Sequence, residues 1–192
     1  MSIEFYQNNA DEFFTGTVNV DMTNIYQRFT KNIPPNALIL DSGCGSGRDS
    51  KAFIDMGYRV DAFDASSELV ARASSYTGLD VQLALFDDVT DVEKYDAIWC
   101  CASLLHVPEA ELPNTLDKLA KALKIDATWY VSFKYGDSQR EKDGRMFTDM
   151  NEERLSKLIA SIPSIEIEAT WITEDNRPDR QEKWLNAILM KI

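Results

Sequence analysis

Residues 37–50 read ALILDSGCGSGRDS: a short apolar run, an acid, three glycines at alternate positions, then polar helix-forming sequence. A short apolar run bounded by turn residues has the pattern of a central parallel strand, covered on both faces. Gly43, Gly45 and Gly47 permit torsions and close approaches that a Cβ would block, so a ligand can lie directly on the main chain. The helix that opens near Arg48 points its free N–H groups at the same place. Dinucleotide folds favour G-x-G-x-x-G, in which the last glycine packs helix on strand under a pyrophosphate. Here the spacing is G-x-G-x-G with Asp41 ahead of it, and an acid beside the loop suits a ligand bearing a cationic group.

Outward from the loop, residues 58–63 (YRVDAF) predict a second strand that ends at Asp64. A carboxylate at that tip can accept both hydroxyls of a ribose, and it also reads as a cap for the helix starting at Ser66. The alternation continues along the chain. Strands are predicted at 38–41, 58–63, 81–86, 95–101, 128–133, 165–172 and 184–191, and helices at 21–31, 48–56, 66–75, 109–123 and 151–161. Five βα-type units with short joins predict a parallel, doubly wound sheet. The last two strands have only the turn-rich TEDNRPDRQEK between them, which predicts an antiparallel hairpin. The expected fold is therefore α/β and Rossmann-like, about seven strands, mostly parallel with a C-terminal antiparallel hairpin. We expect one domain over 1–192, with 1–31 as a helical lid or cap.

Composition narrows the function classes. A chain of 192 residues with 44% hydrophobic content suits one sizeable core. A net charge of -12 disfavours a nucleic-acid partner, because displacing counterions from phosphates needs a basic face. The sequence has no apolar run long enough to span a bilayer and no signal-like N-terminus, so a cytoplasmic protein is expected. Cys44, Cys100 and Cys101 fit a reducing compartment, and nothing in the spacing of ligand-type residues predicts a metal.

With the motif DSGCGSG and a second strand ending at Asp64, the chain resembles class I S-adenosylmethionine-dependent methyltransferases. Within them, CGSGRDS, CCASLLHVP and FKYG…KDGRMFT resemble a bacterial group labelled tellurite-resistance-type or thiopurine-type. The resemblance implies S-adenosylmethionine as cofactor, with Gly43, Cys44 and Gly45 at its amino-acid portion and Asp41 near its amine. Asp64, with Ala65 beside it, would take the ribose. Phe86 would pack on adenine, with Asp87 or Asp88 accepting from the exocyclic amine. The main chain at Cys101 and the Leu105 side chain would flank the cofactor, Arg48 would reach its carboxylate and Tyr6 would close over it. Two departures stand out: Ala84-Leu85 replaces the usual Gly-Asp ahead of Phe86, and KIDA at 124–127 replaces Pro-Gly-Gly before the fifth strand.

The implied reaction is in-line transfer of an already activated methyl group to a small-molecule acceptor, driven by proximity and orientation. His106, the only histidine, is the candidate general base. The tract 134–145 (KYGDSQREKDGR) concentrates basic residues and reads as a solvated loop or as a substrate clamp, with Lys134 and Arg145 the preferred contacts. The alternative function is a catalytically inactive S-adenosylmethionine-binding regulatory or interaction protein. Neither the acceptor nor the oligomeric state is legible in the sequence.

Overall fold

The apolar run before the glycine loop is the centre of the sheet. In the computed structural model, which describes residues 2–177 and 181–192, β1 (Leu38–Ser42) pairs in parallel with β2 (Arg59–Asp64) on one side and β4 (Tyr95–Cys100) on the other. The sheet is completed by β3 (Gln82–Leu83), β5 (Leu123–Lys134), β8 (Ile165–Glu174) and β9 (Lys183–Lys191), in the order β3-β2-β1-β4-β5-β9-β8. β9 inserts between β5 and β8 and runs antiparallel to both, so the predicted terminal hairpin is present. The join between β8 and β9 includes residues 178–180, which lie outside the described residues. Strand order reverses between β1 and β4, and an open α/β sheet binds ligands outside the carboxyl ends of its strands at such a point.

Two apolar clusters cover the two faces. On one, α6 (Leu112–Ala122) and α7 (Glu152–Ile159) press Leu112, Leu116, Leu119, Leu155 and Ile159 onto Ile98, Trp129 and Val131. On the other, α3 (Thr23–Phe29) and α4 (Arg48–Asp55) bring Ile25, Tyr26, Phe29 and Phe53 onto Trp99 and Tyr130. Those last two rings stack at 4.0 Å. Helix ends follow sequence chemistry: Ser66 accepts from the Leu69 N–H at the start of α5 (Ser67–Thr77), and Gly78 ends that helix in the left-handed region. Ahead of α3, α1 (Ser2–Asn8) and α2 (Ala10–Thr17) form the N-terminal helical segment, and α1 buries no residue of its own. No helix among the described residues is long and apolar enough to cross a membrane.

Three expectations need correction. The strand expected at 81–86 is only Gln82–Leu83, because its partner β2 ends at Asp64 and the Leu85 N–H is taken by Asp88 Oδ2 at 2.8 Å, which turns the chain into a 3-10 turn over Phe86–Asp88. The strand expected at 128–133 begins earlier, at Leu123: β5 continues straight from α6 through KIDA, and the pairing with β4 slips between Tyr95 and Ala97, with Asp126 left-handed at φ 61°. The basic tract is no loop. It forms a second small sheet, β6 (Gln139–Lys142) against β7 (Arg145–Thr148), turning on Asp143 and Gly144 with both φ positive. Asp-Gly is the pair that a two-residue hairpin turn of this hand requires.

Candidate functional site

The three glycines bend the chain back onto the tip of β2. The N–H groups of Gly43 and Cys44 both donate to the Phe63 carbonyl at 2.9 Å, and the Gly45 N–H donates to Asp64 Oδ2 at 2.9 Å. Little room remains for side chains. A Cβ on Gly43 would stand 2.6 Å from the Ser103 Cβ, and one on Gly45 would stand 2.9 Å from the Phe13 ring of α2. Above the loop, beyond the carboxyl ends of β1, β2, β4 and β5, is a cavity of about 640 Å³, walled by the glycine loop, the residues after β4, the β6–β7 hairpin and helices α1 and α2.

Asp64, Ala65 and Phe86 line this cavity together. Besides Gly45, Asp64 accepts from the Ser66 N–H at 2.9 Å, so it holds the residue that caps α5 and does not cap that helix itself. Burial raises its pKa, and the backbone N–H groups of Ser66, Gly45 and Ala65 oppose the rise. Phe86 stands edge-on to Phe63 at 5.6 Å. Asp87 also lines the cavity but is largely exposed and bound to Lys118 at 2.5 Å, while Asp88 caps Leu85.

Asp41 is not where the resemblance placed it. It is buried beneath the loop, absent from the cavity wall, and accepts from Ser50 Oγ at 2.5 Å. The strand's alternation turns its side chain away from the ligand side. Burial, and then the Asp49 charge, push its carboxyl up to about 8. A carboxyl whose folded pKa is raised holds a proton that the unfolded chain loses near pH 4, so its contribution to stability is full at low pH and declines as pH rises toward 8. Asp41→Asn removes that titration. Its melting temperature relative to the wild type is expected to climb between pH 5 and pH 8.5; a difference that does not change with pH would exclude this account.

An acid in the first turn of the helix after the loop, Asp49, does reach the cavity, and sequence reasoning missed it. Its carboxylate accepts from Tyr26 Oη at 2.5 Å, Trp99 Nε1 at 2.8 Å and Arg48 Nε and Nη2 at 2.7 and 2.9 Å. Burial opposes its ionisation, but Arg48 and the Tyr26 and Trp99 donors hold its pKa below the ordinary carboxylate value. Arg48 is thus a half-buried, oriented cation on the cavity wall and no surface arginine, with Nη2 also 3.7 Å from Cys101 Sγ. Burial pushes the Cys101 thiol up to about 12, which keeps it protonated. Beyond it Ala102 is left-handed at φ 54° and gives its N–H to Ser132 Oγ, while Leu105 and Cys44 are buried along the wall.

At the other end of the cavity, Tyr6 from α1 meets His106. Tyr6 Oη lies 2.8 Å from Nε2, and Nδ1 lies 2.7 Å from the Met146 carbonyl of β7. A carbonyl only accepts, so Nδ1 carries the hydrogen and Nε2 accepts from the Tyr6 hydroxyl. Burial pushes the imidazole pKa down to about 4, helped by the nearby Arg145 and Lys134 charges. With one histidine in the chain, a single set of imidazole ¹⁵N signals should report the neutral Nδ1–H form from pH 8 down to pH 5, with protonation only near 4. Titration centred near 6.5 would contradict this geometry.

The two preferred substrate contacts part company. Lys134 is bound to Glu182 at 2.5 Å and lies over the Phe147 ring, whereas Arg145 stands over Phe5 at 4.1 Å with its nearest ion-pair partner, Asp143, at 3.6 Å. Both line the cavity.

Known proteins share this architecture. Residues 39–126 match a family described as a methyltransferase domain. Curated relatives include the ubiquinone biosynthesis O-methyltransferases of Xanthomonas campestris pv. campestris, 34% identical over 82 residues (39% of this chain, 34% of that protein), and of Glaesserella parasuis serovar 5, 32% identical over 106 residues (49% and 44%). The chain therefore spans only about a third to under half of the length of these relatives. Similar solved structures include a Burkholderia thailandensis 1,6-didemethyltoxoflavin-N1-methyltransferase, with TM-score 0.79 at 20% identity over 98% of this chain and 84% of that one. The [4+2]-cyclase SpnF gives TM-score 0.76 at 15% identity over 98% and 94%. At such identities the likeness establishes the fold.

Proposed function

We propose that this chain, whose residues 39–126 match a methyltransferase domain, is a class I S-adenosylmethionine-dependent methyltransferase and transfers a methyl group from S-adenosylmethionine to a small-molecule acceptor. The observation that carries the reading is the glycine cradle: at all three of its glycines a Cβ would crowd a neighbouring atom, and its backbone is tied to the carboxylate at the tip of β2. The residues fit that cofactor. Asp64 with Ala65 offers a ribose contact, Phe86 an aromatic face for adenine, and Arg48, oriented by Asp49, a cation for a carboxylate. When bound, the cofactor supplies a methyl group already activated on a sulfonium.

The chain's own part is to bind, orient and exclude water. α1 and α2 serve as the lid: Gln7 donates to Ser67 Oγ and accepts from Ser66 Oγ, Ser2 Oγ accepts from the Met146 N–H, and Tyr6 and Phe13 reach inward to His106 and the glycine loop. His106 Nε2 accepts from the Tyr6 hydroxyl, but with its pKa pushed down to about 4 the imidazole is a weak base, so the site suits an acceptor that is already ionised better than a simple alcohol. A small-molecule acceptor also agrees with the names of the O- and N1-methyltransferase relatives.

Isothermal titration with S-adenosylmethionine and S-adenosylhomocysteine tests the reading. Saturable binding by the wild type is expected, with Asp64→Ala about 10- to 100-fold weaker, the cost of losing hydrogen bonds to a charged acceptor. No binding by the wild type would sink the proposal. Binding without release of S-adenosylhomocysteine across a broad acceptor panel would favour the non-catalytic alternative.

A further inference from the structure

We propose that the acceptor carries a delocalised oxyanion on a flat ring, a carboxylate or an ionised hydroxyl, and that Arg145 holds this group with the ring lodged among Phe5, Tyr6 and Phe147. This inference deepens the methyl-transfer reading and rests on it. Its starting point is an imbalance of charge. Around the cavity, Arg48 is held by Asp49 at 2.7 Å, Lys134 by Glu182 at 2.5 Å and Arg177 by Asp175 at 2.6 Å. Behind the hairpin, Arg140 is held by Asp149 at 2.5 Å.

Arg145 breaks the pattern. Its side chain is only 19% exposed, its Nε is buried with no hydrogen-bond partner among the described residues, and Asp143, 62% exposed on the hairpin turn, approaches no closer than 3.6 Å. Its charge and a side-chain hydrogen bond to the Tyr6 hydroxyl both oppose the rise in pKa that burial causes there, and a neutral hydroxyl is no counter-ion. The chain has 32 acids against 20 bases, so carboxylates are plentiful elsewhere. A desolvated guanidinium without a close counter-ion is costly unless a ligand supplies one.

The surroundings define the ligand's shape. Arg145 Cζ lies 4.1 Å from the Phe5 centroid and 5.2 Å from that of Phe147, so rings from α1 and β7 flank the guanidinium. Tyr6 stands edge-on to Phe5 at 5.5 Å and to His106 at 5.3 Å, and His106 lies 5.1 Å from Phe147. A guanidinium flanked by rings keeps the in-plane N–H groups that Tyr6 does not take for a planar oxyanion, and a wall of rings at these spacings favours a further flat ring. Lys134, already bound to Glu182, does not share the task.

Calorimetry on the complex with S-adenosylhomocysteine separates the possibilities, using benzoate, its neutral isostere benzamide and the ringless anion acetate as probes. Benzoate is expected to bind at least about tenfold more tightly than either comparison probe, because charge and ring are both required. Arg145→Gln should remove that preference while leaving S-adenosylhomocysteine affinity within about twofold of wild type, which also reports that the variant is folded. Arg145→Lys should retain only part of the preference, because an ammonium lacks the planar fork. Equal binding of benzoate and benzamide, or benzoate affinity unchanged in Arg145→Gln, would overturn the inference. So would acetate binding as tightly as benzoate. Failure of S-adenosylhomocysteine to bind the wild type would instead count against the methyltransferase reading, and the benzoate–benzamide comparison can then be read on the protein alone.

Discussion

A single added methyl group at Gly43 is expected to destabilise the chain by about 2–4 kcal/mol and to weaken S-adenosylhomocysteine binding about 100-fold. Two effects combine in Gly43→Ala. The backbone there is left-handed, at φ 76°, which disfavours any residue with a Cβ. The new Cβ would also meet the Ser103 Cβ at 2.6 Å, and that atom cannot swing aside as the end of a long side chain would. The loop or the segment after β4 must therefore move, breaking the paired donation of Gly43 and Cys44 to the Phe63 carbonyl that sets the cradle's shape. Gly78→Ala isolates the torsional part: its φ is 77°, yet nothing lies within 4 Å of the added atom. That variant should lose about 1 kcal/mol in urea unfolding and keep its ligand affinity. If Gly78→Ala lost as much of both as Gly43→Ala, crowding against Ser103 would not be the cause.

The contrast between the two glycines also separates what a sequence encodes locally from what only the fold brings about. The torsional demand of the loop is legible in the spacing of Gly43, Gly45 and Gly47 after an apolar strand, which marks a backbone that must turn sharply at alternate residues. What presses on the loop is not legible, since Ser103 and Phe13 arrive from distant parts of the chain. The same division holds for the rest of the site. Asp64 and Phe86 sit at the ends of predicted elements and fall on the cavity wall, whereas Asp41, assigned by resemblance, faces Ser50 beneath it. The meeting of Tyr6 with His106 joins residues 100 positions apart, which no local pattern encodes.

The hairpin at 139–148 is recoverable in principle. Asp143-Gly144 is a strong two-residue turn signal, but β6 reads QREK, whose charged residues lack the alternation that marks a strand. A loop reading of the tract hides the separation of its basic residues. Arg140 returns to Asp149 and Lys134 to Glu182, while Arg145 reaches the aromatic end of the cavity without a close counter-ion among the described residues.

Asp49→Ala should be among the most damaging substitutions outside the apolar core, at about 3–5 kcal/mol, because it strands a buried cation together with two buried neutral donors. One carboxylate gathers Arg48 from its own helix, Tyr26 from α3 and Trp99 from β4, tying α3 and α4 to the sheet at the floor of the cavity. Most of the loss should come from Arg48 left without its partner. Arg48→Met combined with Asp49→Ala removes that charge and is expected to recover about half of the stability, leaving the Tyr26 and Trp99 donors unsatisfied. The pH dependence has a definite sign. Because the folded pKa of Asp49 lies below its ordinary value, its contribution is fully present above about pH 4 and fades as pH falls through the folded pKa. The stability gap between wild type and Asp49→Ala, measured by urea unfolding, should therefore shrink below pH 4, and it should also narrow as pH rises toward 8, because the Asp49 charge is part of what holds the Asp41 carboxyl up. A double variant no more stable than Asp49→Ala alone would show that the carboxylate serves Tyr26 and Trp99 and that Arg48 is held in place by something else. Arg48→Met alone completes the argument on the functional side: it should weaken S-adenosylhomocysteine binding while destabilising the fold less than Asp49→Ala, since Asp49 keeps two of its donors.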